Sequence, residues 1–358
     1  MSLAVTVLKN SAVLLLFLLF ISCGTKNKEY ANNVFPYSQF PQEKELKGEV
    51  IELDTALFRY PFRIRIEGDK AIVLDLHGSD YYGHLFQYPS FRYLSSFGRR
   101  GDSPLEMLSM ENFRLHNHTL WTLDANKSEL TRLDFSSSGD SLLREETVAL
   151  DEDILRPLDF AIYNDTTFVI PDYSGESRFL KVDCKGKLIE KIGTIPTTNK
   201  KALQEARPAL AQAWRSFLDY NSHNSVLATV TQLGEVVEIY NLKDSTHVIR
   251  VGEYDEPEFK VSDGYGIPTG IRGFSDVQVT DDAIYAVFHG TSFKDIARQS
   301  GRLPDGGKYI YVFSLKGEPL CKYVLDHYIY GIWVDEVTKT IMATDVNNDQ
   351  PILKFSFG

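Results

Sequence analysis

The stretch that decides the fold is residues 64–74, which read Ile-Arg-Ile-Glu-Gly-Asp-Lys-Ala-Ile-Val-Leu. Apolar and charged side chains alternate up to the polar turn Glu67–Lys70, and a continuous apolar run follows that turn. Alternation with a period of two places one face of a strand against a core, and a polar turn between two such runs is typical of a hairpin. The segment therefore predicts two antiparallel strands.

The same hairpin recurs along the chain at intervals of 47 to 60 residues. Two further strands follow most of the hairpins, such as His84–Tyr88 and Phe91–Phe97 after the first, so each repeat is predicted as a four-stranded antiparallel blade. One blade cannot bury its apolar faces alone and has to pack against its neighbours. The sequence therefore predicts an all-β fold, a six-bladed β-propeller. Its six copies begin at Ile64, Phe113, Phe160, Phe217, Val277 and Ile332.

The last repeat supplies only three strands, Tyr330–Val334, Lys339–Thr344 and Ile352–Phe357, before the sequence ends. An open sheet edge is a template for aggregation, and a closed ring removes it. The segment Glu49–Leu53 near the N-terminus reads as a strand. We expect it to complete the last blade and close the ring.

A short helical insertion is predicted between blades 3 and 4. Within Thr194–Phe217, small and apolar residues recur at helical spacing, and Pro208 is placed to start a helical turn or to kink one. The alternative is that this segment forms two strands, in which case the ring could hold more blades.

Composition is consistent with one closed domain. The chain has 358 residues, of which 43% are hydrophobic, and this is ample material for a packed core. The formal net charge is −11, and no basic cluster is longer than Arg99-Arg100. Binding to nucleic acid needs a stripe of phosphate-neutralising Lys and Arg residues, so we expect no nucleic-acid partner.

The N-terminus carries a processing signal. Lys9 precedes the apolar run Ala12–Ile21, which is too short to span a bilayer, and the run ends at Phe20-Ile21-Ser22-Cys23. This ending resembles the bacterial lipobox, in which the cysteine becomes the acylated N-terminus. We therefore predict a lipoprotein signal peptide at residues 1–22, a lipidated tether at 23–47 and the propeller at 48–358. The alternative is an ordinary secretory signal with a coincidental cysteine.

Two more expectations follow from the same region and from the remaining cysteines. The residues after Cys23 lack the acidic run of an outer-surface export signal, so we expect a lipid anchor in the cell envelope that faces the periplasm, with the outer surface as the alternative. Cys184 and Cys321 lie in different repeats and are expected to be separate thiols, although an exported protein could join them. We expect a monomer.

Several segments resemble one known family, the TolB-like six-bladed β-propeller lipoproteins of Bacteroidetes-type bacteria. They are Phe97–Glu106 after the first blade, Tyr309–Phe313 with Leu315–Pro319, and Ala213-Trp214 at the entry to the fourth blade. The resemblance covers nearly the whole mature chain. It implies the propeller fold and a location in the envelope, and it implies no activity.

Strand direction predicts one functional face. In a four-stranded antiparallel blade, the turns after strands one and three lie on one face, and the connections after strands two and four lie on the other. Every long connection belongs to the second set: Leu76–Gly83, Gly98–Asn112, Thr194–Trp214, Gly252–Gly273 and His289–Gly307. Long loops on a rigid scaffold are where binding tends to reside, so we expect the ligand on that face, unless the loops are tolerated insertions.

Seven residues on these loops are the predicted contacts. Trp214 could stack on a sugar, although packing of the inserted helix is the favoured role. Arg99 and Arg100 could grip an anionic group or could tie their own loop to neighbouring blades. The full set is Tyr81, Tyr82, Arg99, Arg100, Trp214, Arg272 and His289.

A ring of aspartates is the one candidate for metal chemistry. Asp75, Asp124, Asp172 and Asp345 each stand at or just after the end of a second strand. They could hold Ca²⁺ or sugar hydroxyls, but such residues more often cap their own turns, which is the favoured role. No metal-binding, phosphate-binding or nucleophile motif occurs, so no cofactor is expected, with Ca²⁺ as the open alternative.

The predicted function is a non-catalytic one. We expect a lipid-anchored propeller that binds a protein or glycan partner of the cell envelope through its long loops. One alternative is an enzyme at the channel mouth, either a metal-dependent lactonase-like hydrolase or a glycan-active enzyme. The other is a structural subunit of a membrane assembly.

Overall fold

The computed structural model describes residues 32–54, 58–298 and 303–358. The predicted signal peptide and Cys23 lie outside these residues. Within the described ranges, no helix is both long and apolar enough to cross a membrane. The compact unit that contains the sheets spans Asn33–Gly358.

Three short strands precede the first repeat: β1 (Val34–Pro36), β2 (Gln42–Leu46) and β3 (Glu49–Ile51). Six four-stranded antiparallel blades then follow one another around the ring, as predicted. Blade 1 contains β4 (Pro61–Glu67), β5 (Lys70–Asp75), β6 (Tyr81–Gln87) and β7 (Arg92–Arg99); blade 2 contains β8 (Met110–His116), β9 (Thr119–Asp124), β10 (Glu129–Phe135) and β11 (Leu142–Ala149); blade 3 contains β12 (Ala161–Asn164), β13 (Thr167–Pro171), β14 (Phe179–Asp183) and β15 (Leu188–Ile192).

The second half of the ring carries the insertions. Blade 4 contains β16 (Ser216–Asn221), β17 (Val226–Thr231), β18 (Val236–Asn241) and β19 (Thr246–Val251), and is followed by a separate hairpin of β20 (Phe259–Ser262) and β21 (Tyr265–Pro268). Blade 5 contains β22 (Ile271–Val279), β23 (Ala283–Ser292), β24 (Gly307–Ser314) and β25 (Pro319–Ile329). Blade 6 contains β26 (Ile332–Asp335), β27 (Thr340–Thr344) and β28 (Ile352–Ser356), and β3 is its fourth strand.

The predicted closure of the ring is confirmed. β3 pairs antiparallel with β28, with Ile51 opposite Ile352 and Glu49 opposite Lys354. Glu49–Leu53 therefore supplies the missing outer strand of blade 6. The chain's beginning and end meet in one sheet, and this leaves no blade with three strands.

The boundary between tether and propeller was predicted too late in the sequence. Residues 33–47 were assigned to the tether, but β1 pairs in parallel with the outer strand of blade 4, and β2 pairs in parallel with the outer strand of blade 5. Tyr37 between them is buried, and its hydroxyl donates to Glu235 at 2.9 Å. A strand that adds to a sheet edge pairs through its backbone groups, so almost any sequence can form it. The segment therefore shows no strand-like alternation.

The predicted helical insertion between blades 3 and 4 is confirmed as two short helices, α1 (Lys200–Glu205) and α2 (Arg207–Ala213). The long connection 252–273 contains the β20–β21 hairpin. That hairpin lies against α2 because Gly266 has no side chain: a Cβ there would approach the carbonyl oxygen of Ala209 to 2.2 Å. A third helix, α3 (Phe293–Arg298), lies in the connection that follows β23.

Cys184 and Cys321 are separate thiols, as predicted.

Aspartates on the inner strands join neighbouring blades around the axis. Asp159 at the start of blade 3 accepts the backbone N–H of Leu218 in blade 4 at 3.0 Å. Asp219 in blade 4 accepts the N–H of Val279 in blade 5 at 2.8 Å. Asp276 continues the series by accepting the N–H of the first residue of β26 at 2.8 Å. The same carboxylate-to-backbone bond thus repeats at three successive blade junctions.

Candidate functional site

The predicted separation of short and long connections onto two faces agrees with the strand pairing. In every blade, the turns after the first and third strands span at most six residues. We call the face that carries them the short-turn face. The opposite face, the long-loop face, carries the segment 193–215 with α1 and α2, the segment 252–270 with the hairpin, and the segment 293–306 with α3.

The axis of the ring is closed between these faces. Arg63 and Arg65 from β4 both pair with Asp276 from β22, and all three side chains are buried. The guanidinium of Arg63 also lies over the rings of Phe62 and Phe217, at 4.6 Å from each centroid. These groups divide the centre of the ring into two separate cavities, one at each face.

The cavity on the long-loop side, which we call the axial funnel, has a volume of about 240 Å³. A side chamber of about 290 Å³ adjoins it and shares Arg272, His289 and Asp305 with it. The funnel is lined by Tyr60, Arg215, Phe217, Gln232, Leu233, Pro268, Arg272, Gly273, Phe274, His289, Phe293, Asp305 and Tyr330.

One carboxylate organises the polar side of the funnel. The guanidinium of Arg272 pairs with Oδ1 of Asp305 at 2.5 Å, and the hydroxyl of Tyr60 donates to Oδ2 at 2.8 Å. Asn347 fixes the backbone on both sides of this carboxylate, since it accepts the N–H of Asp305 and donates to its carbonyl, each at 2.8 Å. Asp305 is thus held rigidly by residues from blades 1, 5 and 6.

His289 forms part of the funnel wall without a polar partner. Its Nε2 is buried and has no hydrogen bond to any described residue. Burial lowers the pKa of His289 to about 4, so the ring is neutral at physiological pH. The nearest aromatic contact is Tyr330, whose ring lies edge-on with a centroid distance of 5.6 Å. A buried nitrogen without a partner costs about 1–3 kcal/mol. Nε2 of His84, which does not line the funnel, is likewise buried without a partner among the described residues, so the nitrogen of His289 indicates a ligand only together with the cavity that it lines.

The remaining walls combine one cation with aromatic rings. Arg215 is exposed at the funnel, and no carboxylate among the described residues lies within 4 Å of it. Tyr60, Phe217 and Tyr330 supply aromatic surface, and the rings of Tyr60 and Tyr330 lie 5.6 Å apart. The funnel therefore offers donors, acceptors and flat apolar surface together, which is typical of small-molecule sites.

Only two of the seven predicted contact residues, Arg272 and His289, meet in this cavity. Arg215, Asp305, Tyr60 and Tyr330 were missed. Each of these four lies in a connection or within one residue of a strand end, on the long-loop side. The order of the strands within each blade could have placed these residues on the long-loop side. Their convergence depends on how the blades are arranged around the axis.

Four of the other predicted residues lie on the outer half of blade 1. Tyr82 is buried under Arg100, whose guanidinium stacks 3.7 Å from the ring centroid and also donates to the carbonyl of Leu76. Arg100 therefore ties its own loop to blade 1, whereas the alternative left open by the sequence was a tie to neighbouring blades. Tyr81 and Arg99 are cross-strand partners at the rim, and the side chain of Arg99 is 70% exposed.

Trp214 is corrected as a contact residue. It is 1% exposed and packs with α2 against blade 4, in the packing role that the sequence favoured. The Arg178 guanidinium lies 5.9 Å from its ring centroid and pairs with Glu238. No face of the indole is left for a ligand.

The four aspartates at the ends of second strands cap turns, which is the role that the sequence favoured. Asp75 accepts the N–H groups of Arg59, Tyr60 and His77, and Asp124 accepts four N–H groups in the same way. Asp172 and Asp345 bind the turns that follow them. Among the residues that the structure describes, no three His, Cys, Asp or Glu side chains are grouped to hold a metal ion.

A second cavity, larger than the funnel, lies on the short-turn face and was not predicted. It has a volume of about 640 Å³ and is lined by the ends of the inner strands of blades 1, 2, 4, 5 and 6. Several of its polar side chains already have partners. His116 contacts Asp165 at 2.8 Å, His223 contacts Asp281 at 3.2 Å, and Glu336 accepts from Tyr285 at 2.8 Å. These pairs join neighbouring blades, so the rim of this cavity is largely a structural feature.

The fold belongs to a recognised class. A family model described as TolB-like 6-blade propeller-like matches residues 39–337, and the chain therefore belongs to this family. No curated protein sequence matches the chain significantly.

Solved structures share the fold at low sequence identity. A presumed exported protein from Bacteroides fragilis NCTC 9343 is 13% identical with a TM-score of 0.56, and the match covers 90% of this chain and 98% of that one. A DUF4221 family member from Bacteroides vulgatus ATCC 8482 is 10% identical with a TM-score of 0.55, covering 88% and 98%. An auxiliary nutrient binding protein from Bacteroides ovatus ATCC 8483 is 10% identical with a TM-score of 0.52, covering 84% and 70%. At these identities the likeness concerns the fold alone.

Proposed function

We propose that this protein is a lipid-anchored propeller of the cell envelope that acts as a non-catalytic binding module, with its long-loop face as the binding surface. The partner is a protein or a glycan of the envelope. The observation that carries the proposal is the axial funnel, where the buried Nε2 of His289 has no hydrogen bond to a described residue and the exposed Arg215 pairs with no described acidic side chain. The short-turn cavity is larger, but several of its polar side chains already have hydrogen-bond or ion-pair partners.

Two further features support a binding role. The funnel opens among the long connections, and the scaffold beneath it is fixed by the axial ion pairs and by the Asp-to-backbone bonds between blades. Binding residues on loops of a rigid scaffold lose little conformational freedom when a partner binds. The anchor itself rests on the lipobox-like sequence that ends at Cys23.

A capture experiment from native membranes tests the proposal. The acylated full-length protein is purified in mild detergent and its companions are identified by mass spectrometry. In one variant a short glycine linker replaces the hairpin residues 260–267, and in the matched control the turn 136–141 on the short-turn face is shortened. We expect a companion that the control retains and the hairpin variant loses. If the hairpin variant keeps the companion and the control loses it, the binding surface lies on the short-turn face and the proposal is wrong.

A further inference from the structure

We propose that the axial funnel binds a small ligand that carries both a carboxylate and several hydroxyl groups, which is the chemistry of an acidic sugar. This inference rests on the proposed function, since it specifies the ligand class for the same face. Four observations carry it: the charge of the lining, the unpartnered histidine, the aromatic walls and the size of the cavity.

The charge of the lining favours an anion. Two arginines, Arg215 and Arg272, face a single carboxylate, Asp305, among the described residues that line the funnel. Arg272 is neutralised by Asp305, whereas Arg215 pairs with no described acidic side chain within 4 Å. One positive charge is thus left at the mouth of a partly enclosed cavity. An arginine in this situation binds a carboxylate through two parallel hydrogen bonds.

The histidine favours a hydroxyl group near the carboxylate. A neutral imidazole offers one donor and one acceptor, and His289 uses Nε2 for neither with any described residue. A hydroxyl can donate and accept, so it suits either tautomer. A bound hydroxyl would remove the cost of the buried, unpartnered nitrogen, which makes the interaction more favourable than the same bond on an exposed histidine.

The acceptors are equally suited to hydroxyl groups. Asp305 already receives the Tyr60 hydroxyl and the Arg272 guanidinium, so its position is fixed before any ligand arrives. Gln232 adds an amide that can both donate and accept.

The walls and the volume limit the size and shape of the ligand. Phe217 and Tyr330 present aromatic surface against which the C–H groups of a sugar ring can pack, while its hydroxyls face the polar side. Small-molecule sites in proteins usually measure about 300–1,000 Å³. The funnel and the side chamber are each slightly smaller, at about 240 and 290 Å³, so each suits a single ring.

Calorimetric titration of the full-length protein in detergent tests this proposal. The probe is glucuronate, compared with glucose, which lacks the carboxylate, with acetate, which lacks the hydroxyls, and with the dipeptide Gly-Gly, which carries a carboxylate without a sugar ring. We expect saturable binding of glucuronate, and binding of the three other compounds that is weaker by about tenfold or more.

Three variants separate the charge from the fold. Arg215→Gln removes the unpaired cation and should weaken glucuronate binding about tenfold or more, while leaving the weak binding of glucose unchanged. His289→Gln should weaken both sugars. Arg99→Gln is the control, because that arginine is also exposed on the long-loop side but lies on the outer part of blade 1, where it pairs with Glu106 at 3.5 Å. It should bind glucuronate as the unmodified protein does.

Several results would overturn the proposal: no binding of glucuronate, equal binding of glucuronate and glucose, tighter binding of the dipeptide, or equal losses in Arg215→Gln and Arg99→Gln. None of them decides the proposed function, which depends on the membrane companion and its sensitivity to the hairpin. Conversely, glucuronate binding without any companion would support the ligand class and contradict a protein partner on the long-loop face.

Discussion

Arg63 in blade 1 and Asp276 in blade 5 form a buried ion pair that crosses the inner edge of blade 6. Asp276 accepts the N–H of Ile332 from blade 6, and Arg65 donates to the carbonyl of the same residue at 2.7 Å. Burial alone would raise the pKa of Asp276, but the two guanidinium groups outweigh it and hold the pKa at about 2. Three blades are therefore joined at one carboxylate.

Asp276→Asn should destabilise the protein strongly. The change leaves two buried guanidinium groups without a counter-charge, and breaking a buried pair in this way costs about 3–5 kcal/mol. The measurement is the free energy of unfolding in urea. Asp282→Asn on the same blade is the control, because Asp282 is exposed, and it should change the free energy by less than about 0.5 kcal/mol. Similar values for both variants would show that the axial pair does not hold the ring.

The free energy of unfolding should fall as the pH is lowered from about 6.5 to about 4. Burial lowers the pKa of His84 and of His289, each to about 4, whereas an unfolded histidine has a pKa near 6.5. Between these values the unfolded chain binds more protons than the folded one, so acid favours unfolding, by up to about 3 kcal/mol for each histidine. Above pH 6.5 these residues contribute no pH dependence.

Urea unfolding at a series of pH values measures this slope. His289→Gln should reduce the slope between pH 6.5 and 4 by about 1.4 kcal/mol per pH unit, which is the contribution of one proton. An unaltered slope in His289→Gln would mean that His289 is protonated as easily in the folded state as in the unfolded one.

Tyr37→Ala should show that the N-terminal segment is part of the propeller. Tyr37 is buried between blades 4 and 5 and contacts the rings of Phe40 and Phe313, so truncation should cost about 3–5 kcal/mol. Phe35→Ala, two residues earlier, is the control because Phe35 is 43% exposed. Thermal unfolding of both variants provides the comparison, and a flexible tether would give the same midpoint in each.

Cys23→Ser should abolish lipid attachment. Metabolic labelling with an alkyne fatty acid should mark the unmodified protein and the Cys184→Ser control, but not Cys23→Ser, which should also leave the membrane fraction. Label retained in Cys23→Ser would exclude that cysteine as the anchor. Multiple acyl chains bind a membrane stably because each buried CH₂ contributes about 0.8 kcal/mol.

The architecture was predictable because its signals are local. The hairpin at Ile64–Leu74 and its five copies carry the alternation and turn residues of β-structure, and these fixed the number of blades and the role of Glu49–Leu53. The order of the strands within each blade then predicted which connections lie on each face. The strands β1 and β2 were missed because a strand added to a sheet edge needs only its backbone, and Gln42–Leu46 is almost wholly polar.

The candidate site was predictable only in part because it is built from single residues far apart in sequence. Tyr60, Arg215, Asp305 and Tyr330 belong to different connections, and no spacing in the sequence relates them. Tyr82 and Trp214 are buried, so they do not line the candidate site. An aromatic side chain on a loop-rich face can either pack inward or bind a ligand. Only the arrangement of the blades distinguishes these outcomes.

The parallel pairing of β1 also sets the end of blade 4 at which the chain enters the propeller. The chain approaches from the short-turn side, since Asn33 precedes Val34, which pairs with Ile249, and β1 runs toward the long-loop side. Ten residue steps separate Cys23 from Asn33 and can span at most about 35 Å. The lipid anchor proposed at Cys23 would therefore join the propeller through Asn33, at the end of blade 4 that lies away from the funnel.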